Sequence, residues 1–413
     1  MRVAVVGTGI SGLTAAWLLR DAHDVTVFEA EDRIGGHTHT HHIEVDDQEV
    51  SVDTGFIVYN DRNYPTFTRL LDELGVPGSP TSMSFSVVNE NNDVQYNGHN
   101  LATLFAHAPN LTNLAYYRML LDILRFNRRG LRLLDLHGTG PSLARYLRDA
   151  GYGDAFVRDY LAPMAASIWS VPTETMGSFP AKRVVEFFRN HGLMSIKDRP
   201  QWYCVDNGSS SYVGKILAML KTPPRTSTPV RSVRRGETVE VTTDAGTESF
   251  DAIVFACHSD QALATLADPS DAEREVLGAI RYQPNDVVLH TDPRFLPDIR
   301  PIWASWNYRI SKGREADGAT VTYWMNQLQH IPVSTPILVT LNQTDGIDPG
   351  KVIRRLSYSH PIFDGPAVEA QARRSEISGV NRTHYCGAYW RYGFHEDGCL
   401  SAVEAVRDLG VLW

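Results

Sequence analysis

Six residues near the amino terminus, Gly7-Thr8-Gly9-Ile10-Ser11-Gly12, stand between a buried-strand run, Val3 to Val6, and an apolar helical stretch through Leu19. Strand, glycine turn and helix in that order can seat a dinucleotide. Gly7 permits the tight turn, Gly9 lets backbone approach a diphosphate, and Gly12 lets helix and sheet pack closely, with Ala15 and Ala16 keeping that helix face small. Phosphate charge would then rest on unpaired N–H groups at the positive end of the helix. A second strand, Val25 to Phe28, ends at Glu29, seventeen residues beyond Gly12, where a carboxylate can accept both ribose hydroxyls and disfavours a 2′-phosphate.

The segment that follows, Glu29-Ala30-Glu31-Asp32-Arg33-Ile34-Gly35-Gly36, resembles the flavin amine-oxidase and carotenoid-desaturase superfamily of FAD proteins. In that superfamily an acid, an arginine four residues on and a glycine pair mark FAD rather than NAD. The resemblance implies Arg33 at the pyrophosphate and Gly35-Gly36 giving the chain room beneath it. It departs at His37, where members commonly carry arginine, a change expected to bear on flavin potential more than on affinity. Val52-Asp53-Thr54-Gly55-Phe56 resembles the segment that passes the flavin ring. Val205 to Ser209, Thr228-Pro229-Val230 and an alternating strand pair around Gly236 and Gly246 resemble the returning portion, with the Val230 backbone at the adenine. Gly387 to Gly398, leading into a short helix from about Leu400 to Leu409, resembles the closing motif, where the His395 N–H would meet the flavin N1/C2=O edge. The residues implied on the cofactor are Gly7, Gly9, Ile10, Ser11, Gly12, Glu29, Ala30, Arg33, Gly35, Gly36, His37, Thr54, Gly55, Phe56, Val230, Gly387, Phe394, His395 and Glu396.

These stretches need a scaffold. Short apolar strands occupy 1–64, 202–267 and 372–413, which together read as a discontinuous Rossmann-type α/β FAD-binding domain. Helix-period segments in 65–201 and strand-like runs rich in tryptophan and tyrosine in 268–371 read as an inserted α+β substrate domain, the amine-oxidase-like layout. No internal repeat appears. Gly138-Thr139-Gly140-Pro141 lacks the preceding strand and third glycine of a nicotinamide site.

The 413 residues carry 39 basic and 48 acidic side chains, a net charge of −9, which argues against a nucleic-acid surface or a broad electrostatic membrane anchor as the main business. Cys204, Cys257, Cys386 and Cys399 are too dispersed for a disulfide framework and read as core thiols of a reducing compartment. Alternation along a strand would put His37, His39 and His41 on one face, with His42 on the other; no acidic or cysteine partner has ligand spacing, so no metal is expected. The first apolar run is strand-length, and no run reaches the ~20 residues of a membrane span. The chain reads as cytoplasmic. Leu114 to Leu136 interleaves apolar residues with Arg118, Arg125, Arg128, Arg129 and Arg132, which reads as a helix pair broken at Gly130 with one face on the core and solvated arginines; the alternative is a surface for anionic lipid headgroups on the inner face of the membrane, or for a partner protein.

Amine oxidases of the superfamily set a tyrosine where this chain has Phe394, and a lysine near flavin N5; Lys182, Lys197, Lys215, Lys221, Lys312 and Lys351 fit no such pattern. Gly35 to Thr40, Asp53 to Asn60 and Gly393 to Gly398 resemble a bacterial subgroup often encoded beside cyclopropane-fatty-acid-synthase-like methyltransferases. That resemblance implies desaturation or double-bond rearrangement of methyl-branched acyl chains of phospholipids together with such a methyltransferase. Tyr389, Tyr392 and Glu396 are the candidate catalytic groups, by proximity to the closing motif. Two other readings are a flavin amine oxidase and an interaction subunit that FAD merely stabilises.

Overall fold

Val3, Val5 and their neighbours are buried on both faces because the strand Arg2–Val6 lies inside a parallel sheet. The structure is a computed structural model that describes residues 1–169, 173–195, 199–313, 321–342 and 344–413. The sheet has four strands in the order Thr383–Tyr385, Ala252–Phe255, Arg2–Val6, Asp24–Phe28, all parallel, with Val3 opposite both Ala252 and Val25. The helix Ile10–Leu19 is buried along its whole length, against the sheet on one side and the helix His395–Arg407 on the other. An all-apolar helix is what such a position requires. A Cβ on Gly398 would lie 2.7 Å from Ile10 Cγ2 and 2.9 Å from Ser11 Oγ, so the first turns of the two helices meet directly.

The closing helix starts at His395, five residues before the expected Leu400, because the Asp397 carboxylate accepts the N–H groups of Tyr392 (3.1 Å) and Phe394 (3.0 Å) and so fixes the first turn. The expected strand pair around Gly236 and Gly246 has a third member. Ser232–Arg235, Val239–Thr243 and Gly246–Phe250 form an antiparallel sheet. Arg235, buried, anchors it through an ion pair with buried Glu273, which also accepts from the Tyr385 hydroxyl at 2.7 Å.

A seven-stranded sheet runs Val352–Pro361, Tyr282–His290, Leu338–Leu341, Val321–Trp324, Trp306–Ile310, Phe85–Asn89, Val94–Asn97. Phe85–Asn89 joins it by parallel pairing with Trp306–Ile310, so two distant stretches of chain share one sheet. Helices Leu114–Arg129, Leu143–Asp149 and Ala181–Asn190 pack beside it around Phe126, Phe156 and Phe188. Beyond Gly130 the chain makes a 3-10 turn, Gly130–Asp135, where a second helix was expected. The four cysteines are free. No described helix is long and apolar enough to cross a membrane.

Candidate active site

The parallel strands end together at Gly7, Glu29, Ala256 and Cys386, and ligands of open parallel sheets bind at that edge. Gly7 has φ +104°, and a Cβ on Gly12 would sit 1.9 Å from the Gly7 carbonyl oxygen. A Cβ on Gly9 would meet nothing within 4 Å, leaving open space before the uncapped first turn of Ile10–Leu19. The Gly35-Gly36 turn passes over Gly9, with a Gly36 Cβ position 2.9 Å from Gly9 Cα. Beside it Arg33 Nη1 is buried without a partner while Nη2 lies 3.2 Å from Glu31, and His37 Nε2 is buried and unpartnered too. Unpaired helix N–H groups, an orphaned guanidinium nitrogen and free space above a glycine fit a diphosphate. Glu29 is oriented by the Thr8 N–H (2.9 Å), the Thr8 hydroxyl and the Glu31 N–H (3.0 Å). Ala30 is exposed, and half-buried Val230 lies two residues beyond Thr228, whose N–H donates to the Glu29 carbonyl at 2.8 Å.

The Phe56 N–H donates to the His37 carbonyl at 2.8 Å, and a Cβ on Gly55 would lie 2.2 Å from that same oxygen. Thr54 gives its N–H to the His39 carbonyl (3.1 Å), and its hydroxyl pairs with Tyr358 (2.9 Å). Just before it, Asp53 is fully buried: its carboxylate accepts from Thr40 Oγ1 (2.5 Å), Ser209 N–H (2.9 Å), Ser209 Oγ (2.8 Å) and Gln329 Nε2 (2.7 Å). One side chain thus ties the segment Thr54-Gly55-Phe56 to three others.

The histidines divide, contrary to the single face expected. The strand Thr40–Val45 begins after His37, so only the rings of His39 and His41 pair, at 4.0 Å. His37 instead meets Tyr358 (5.1 Å), His360 (5.4 Å) and His258 (6.2 Å), and His360 Nδ1 lies 3.1 Å from Asn285 Nδ2. No group of metal-ligand spacing exists among the described residues. His258, His360, Tyr358 and Asn285 were absent from the sequence reading. Only His258 had a signal: it stands three residues past the buried strand Ala252–Phe255, at the ligand-binding edge. Burial holds His37 and His258 down at about 4 and His360 at about 3. Since the unfolded chain binds protons near 6.5, it takes them up first as pH falls, and stability is lost between about 6.5 and 4. Asp53 and Asp397, pushed up to about 6 by burial, and Glu396, raised likewise, oppose this over part of the window, but burial also holds His39, His41 and His191 down at about 4, so the histidines outnumber them. Urea unfolding at pH 7.5 and 5 should therefore differ by a few kcal/mol, each pKa unit on each group carrying about 1.4 kcal/mol; equal midpoints would sink this expectation.

At the closing motif, Phe394 packs 5.0 Å from the Phe187 ring and 5.8 Å from His191. The His395 ring stacks on Phe56 at 3.5 Å, with Nε2 3.0 Å from Thr38 Oγ1 and 3.2 Å from the Tyr212 hydroxyl; burial keeps it neutral. The Gly387 N–H is held by Ser401 Oγ at 2.8 Å. Tyr389, Tyr392 and Glu396 are not brought together. Tyr389 is buried in the core behind the sheet edge, its hydroxyl unpartnered. Tyr392 lies under the Arg183 guanidinium, 3.8 Å away, and beside Phe187. Glu396 caps the helix Pro65–Leu74, accepting from Thr66 Oγ1 (2.6 Å), Thr66 N–H (3.2 Å) and Phe67 N–H (2.9 Å). The carboxylate expected as a catalytic group thus braces that helix in this structure. Glu396→Gln should accordingly cost about 1 kcal/mol of stability and leave turnover within a few-fold of wild type; a loss of a thousandfold in kcat would restore the proton-transfer role. None of the described lysines is buried, and Lys197 lies outside the described residues.

The profile of the flavin containing amine oxidoreductase family matches residues 10–330. A stretch of 42 residues is 55% identical to tryptophan 2-monooxygenase of Allorhizobium ampelinum, covering 10% of this chain and 6% of that protein. Another comparison gives 54% over 41 residues with an L-amino-acid oxidase of Sistrurus catenatus edwardsii, 10% of this chain and 8% of that one. The chain therefore aligns with less than a tenth of either relative. Whole-chain similarity is found among solved structures. Cyclohexylamine oxidase from Brevibacterium oxydans superposes with TM-score 0.72 at 15% identity over 99% of both chains. Putrescine oxidase gives 0.70 at 16% over 99% of both, and a CLA-producing fatty acid isomerase from P. acnes gives 0.68 at 17% over 98% of both. These are likenesses of fold. With the family profile spanning most of the chain, the chain belongs to the flavin containing amine oxidoreductase family.

Proposed function

We propose that this oxidoreductase acts on a hydrophobic acyl chain, desaturating or shifting a double bond in methyl-branched fatty acyl groups of phospholipids, in concert with a cyclopropane-fatty-acid-synthase-like methyltransferase. The observation that carries this reading is the ring wall around Phe394, whose only close charge is the Arg183–Glu186 pair over Tyr392. Phe187, His191 and Tyr392 surround it, Trp202 lies 6.0 Å behind His191, and burial holds His191 down at about 4 and hence neutral. The carboxylates beside it are engaged: Glu396 and Asp397 cap helices, and Glu186 pairs with Arg183 and the Tyr392 hydroxyl. An ammonium entering there would give up its hydration with no free carboxylate in return. An alkyl chain gives up nothing and gains roughly 0.8 kcal/mol per buried methylene.

Bound FAD would supply a two-electron acceptor that takes hydride from a C–H bond and, in a double-bond shift, returns it. The protein's part is to hold that bond in place and keep water out. Ring packing at Phe394 does the excluding, and the Asp53-anchored segment Thr54 to Phe56 sets the floor. A fatty acid isomerase with the same fold makes such a substrate compatible with the architecture.

Anaerobic mixing of the purified flavoprotein with methyl-branched acyl lipid, in parallel with mono- and polyamines, tests the reading. Bleaching of the flavin band by the lipid is expected. Bleaching by amines alone would make the chain an amine oxidase. No bleaching by either, with methyltransferase product formation surviving Phe394→Ala, would make it an interaction subunit.

A further inference from the structure

The helix Leu114–Arg129 buries Tyr116, Met119 and Phe126 and turns an unusual face outward. Leu114 is 85% exposed, Leu121 67%, Leu124 54% and Tyr117 40%, and their spacing puts all four on one ridge. Single exposed leucines need no explanation, but a contiguous row does. Leu131 and Leu136, exposed at 39% and 41%, continue the apolar surface past the helix end.

Charge decides what covers this ridge. Arg118, Arg125 and Arg129 run along one flank and Arg128 ends it; the helix sets no acidic residue on the exposed stripe, and exposed Asp135 stands on its continuation beside Leu136. Asp122, the helix's own acid, is buried and spent on Arg125 and on the Gly153 N–H, 3.0 Å away. Arg118, Arg128, Arg129 and Arg132 make no ion pair among the described residues. A second copy packed ridge to ridge would set arginine against arginine. A plane of phosphate headgroups over hydrocarbon offers what both parts of the face lack: anions at the rim and apolar depth for the leucines.

The geometry points to an anionic lipid surface as the partner of this face, with the helix lying flat in the headgroup layer. The contact is reversible and does not depend on which substrate the flavin oxidises. It does put the site close to the bilayer. Phe126 on the helix's inner side lies 6.5 Å from Phe188, whose neighbour Phe187 packs on Phe394.

Co-sedimentation of the full-length FAD-bound protein with phosphatidylglycerol-containing vesicles, against pure phosphatidylcholine vesicles, tests this. Binding is expected to the anionic vesicles alone and to weaken at 0.5 M salt. Arg128→Gln with Arg129→Gln should weaken it about fivefold per arginine removed. Leu114→Asp with Leu121→Asp should abolish it while the flavin spectrum and melting temperature stay unchanged. The arginine pair keeps the idea open to refutation if the leucine pair folds poorly. Equal binding to both vesicles, no binding to either, or a dimer in solution that the leucine variants split would each overturn the assignment, the last giving the face to a second copy.

Discussion

Gly12→Ala will yield protein without bound FAD, colourless on purification and unfolding at least about 3 kcal/mol more easily than wild type. The added methyl group would sit 1.9 Å from the Gly7 carbonyl oxygen and 3.2 Å from Ala256 Cβ, both on the strand edge whose glycine turn fits a diphosphate. Backbone cannot swing aside as a flexible side chain can, so the helix Ile10–Leu19 must lift off the sheet. Its own buried side chains Leu13, Ala16 and Trp17 then lose their contacts. Gly9→Ala is the control, because a Cβ there meets no protein atom within 4 Å: it should fold as wild type and lose only cofactor affinity. Absorbance at the flavin band and urea unfolding separate the two. A yellow, stable Gly12→Ala protein would mean that the strand–turn–helix unit is not the cofactor's seat.

Asp53→Ala is expected to cost about 4 kcal/mol, through four donor groups left without an acceptor in a dry interior. Two belong to Ser209, at the start of the helix Ser210–Met219; one comes from Thr40 and one from Gln329, across the boundary to the seven-stranded sheet. Asp53→Asn keeps one acceptor oxygen and should lose roughly half as much. Because Thr54, Gly55 and Phe56 follow directly, flavin fluorescence should report loosened binding even in the fraction that stays folded. A loss under 1 kcal/mol for the alanine variant would show that water or neighbouring groups replace the carboxylate.

The strand Arg2–Val6, its glycine turn and the acid at Glu29 were legible because each rests on local rules: apolar continuity, glycine where a side chain collides, a carboxylate at fixed spacing. The seven-stranded sheet was legible only as strand-like runs, since the pairing of Phe85–Asn89 with Trp306–Ile310 spans more than two hundred residues. The start of the closing helix was misjudged by five residues, though Asp397 three positions after Phe394 is a capping signal that sequence does carry. The histidine group was beyond reach. His37 sits in a turn before its strand, and His258, His360 and Asn285 come from separate elements that only the packed structure joins. Tyr389, Tyr392 and Glu396 are neighbours in sequence but part company in the fold. A 3-10 turn at Ala388–Trp390 and Gly393 at φ +92° send them in three directions.

Arg2–Val6 holds the middle of its sheet, yet one of its two flanking strands begins at Ala252 and the outer one beyond that at Thr383. On a ribosome adding about 5–20 residues per second, the earliest strand waits on the order of tens of seconds with its apolar edge bare. The sheet edge cannot be completed before the helix His395–Arg407 leaves the exit tunnel. Synthesis of this flavoprotein should therefore lean on chaperones that shield nascent chains, and prematurely terminated products should aggregate rather than persist as partial folds.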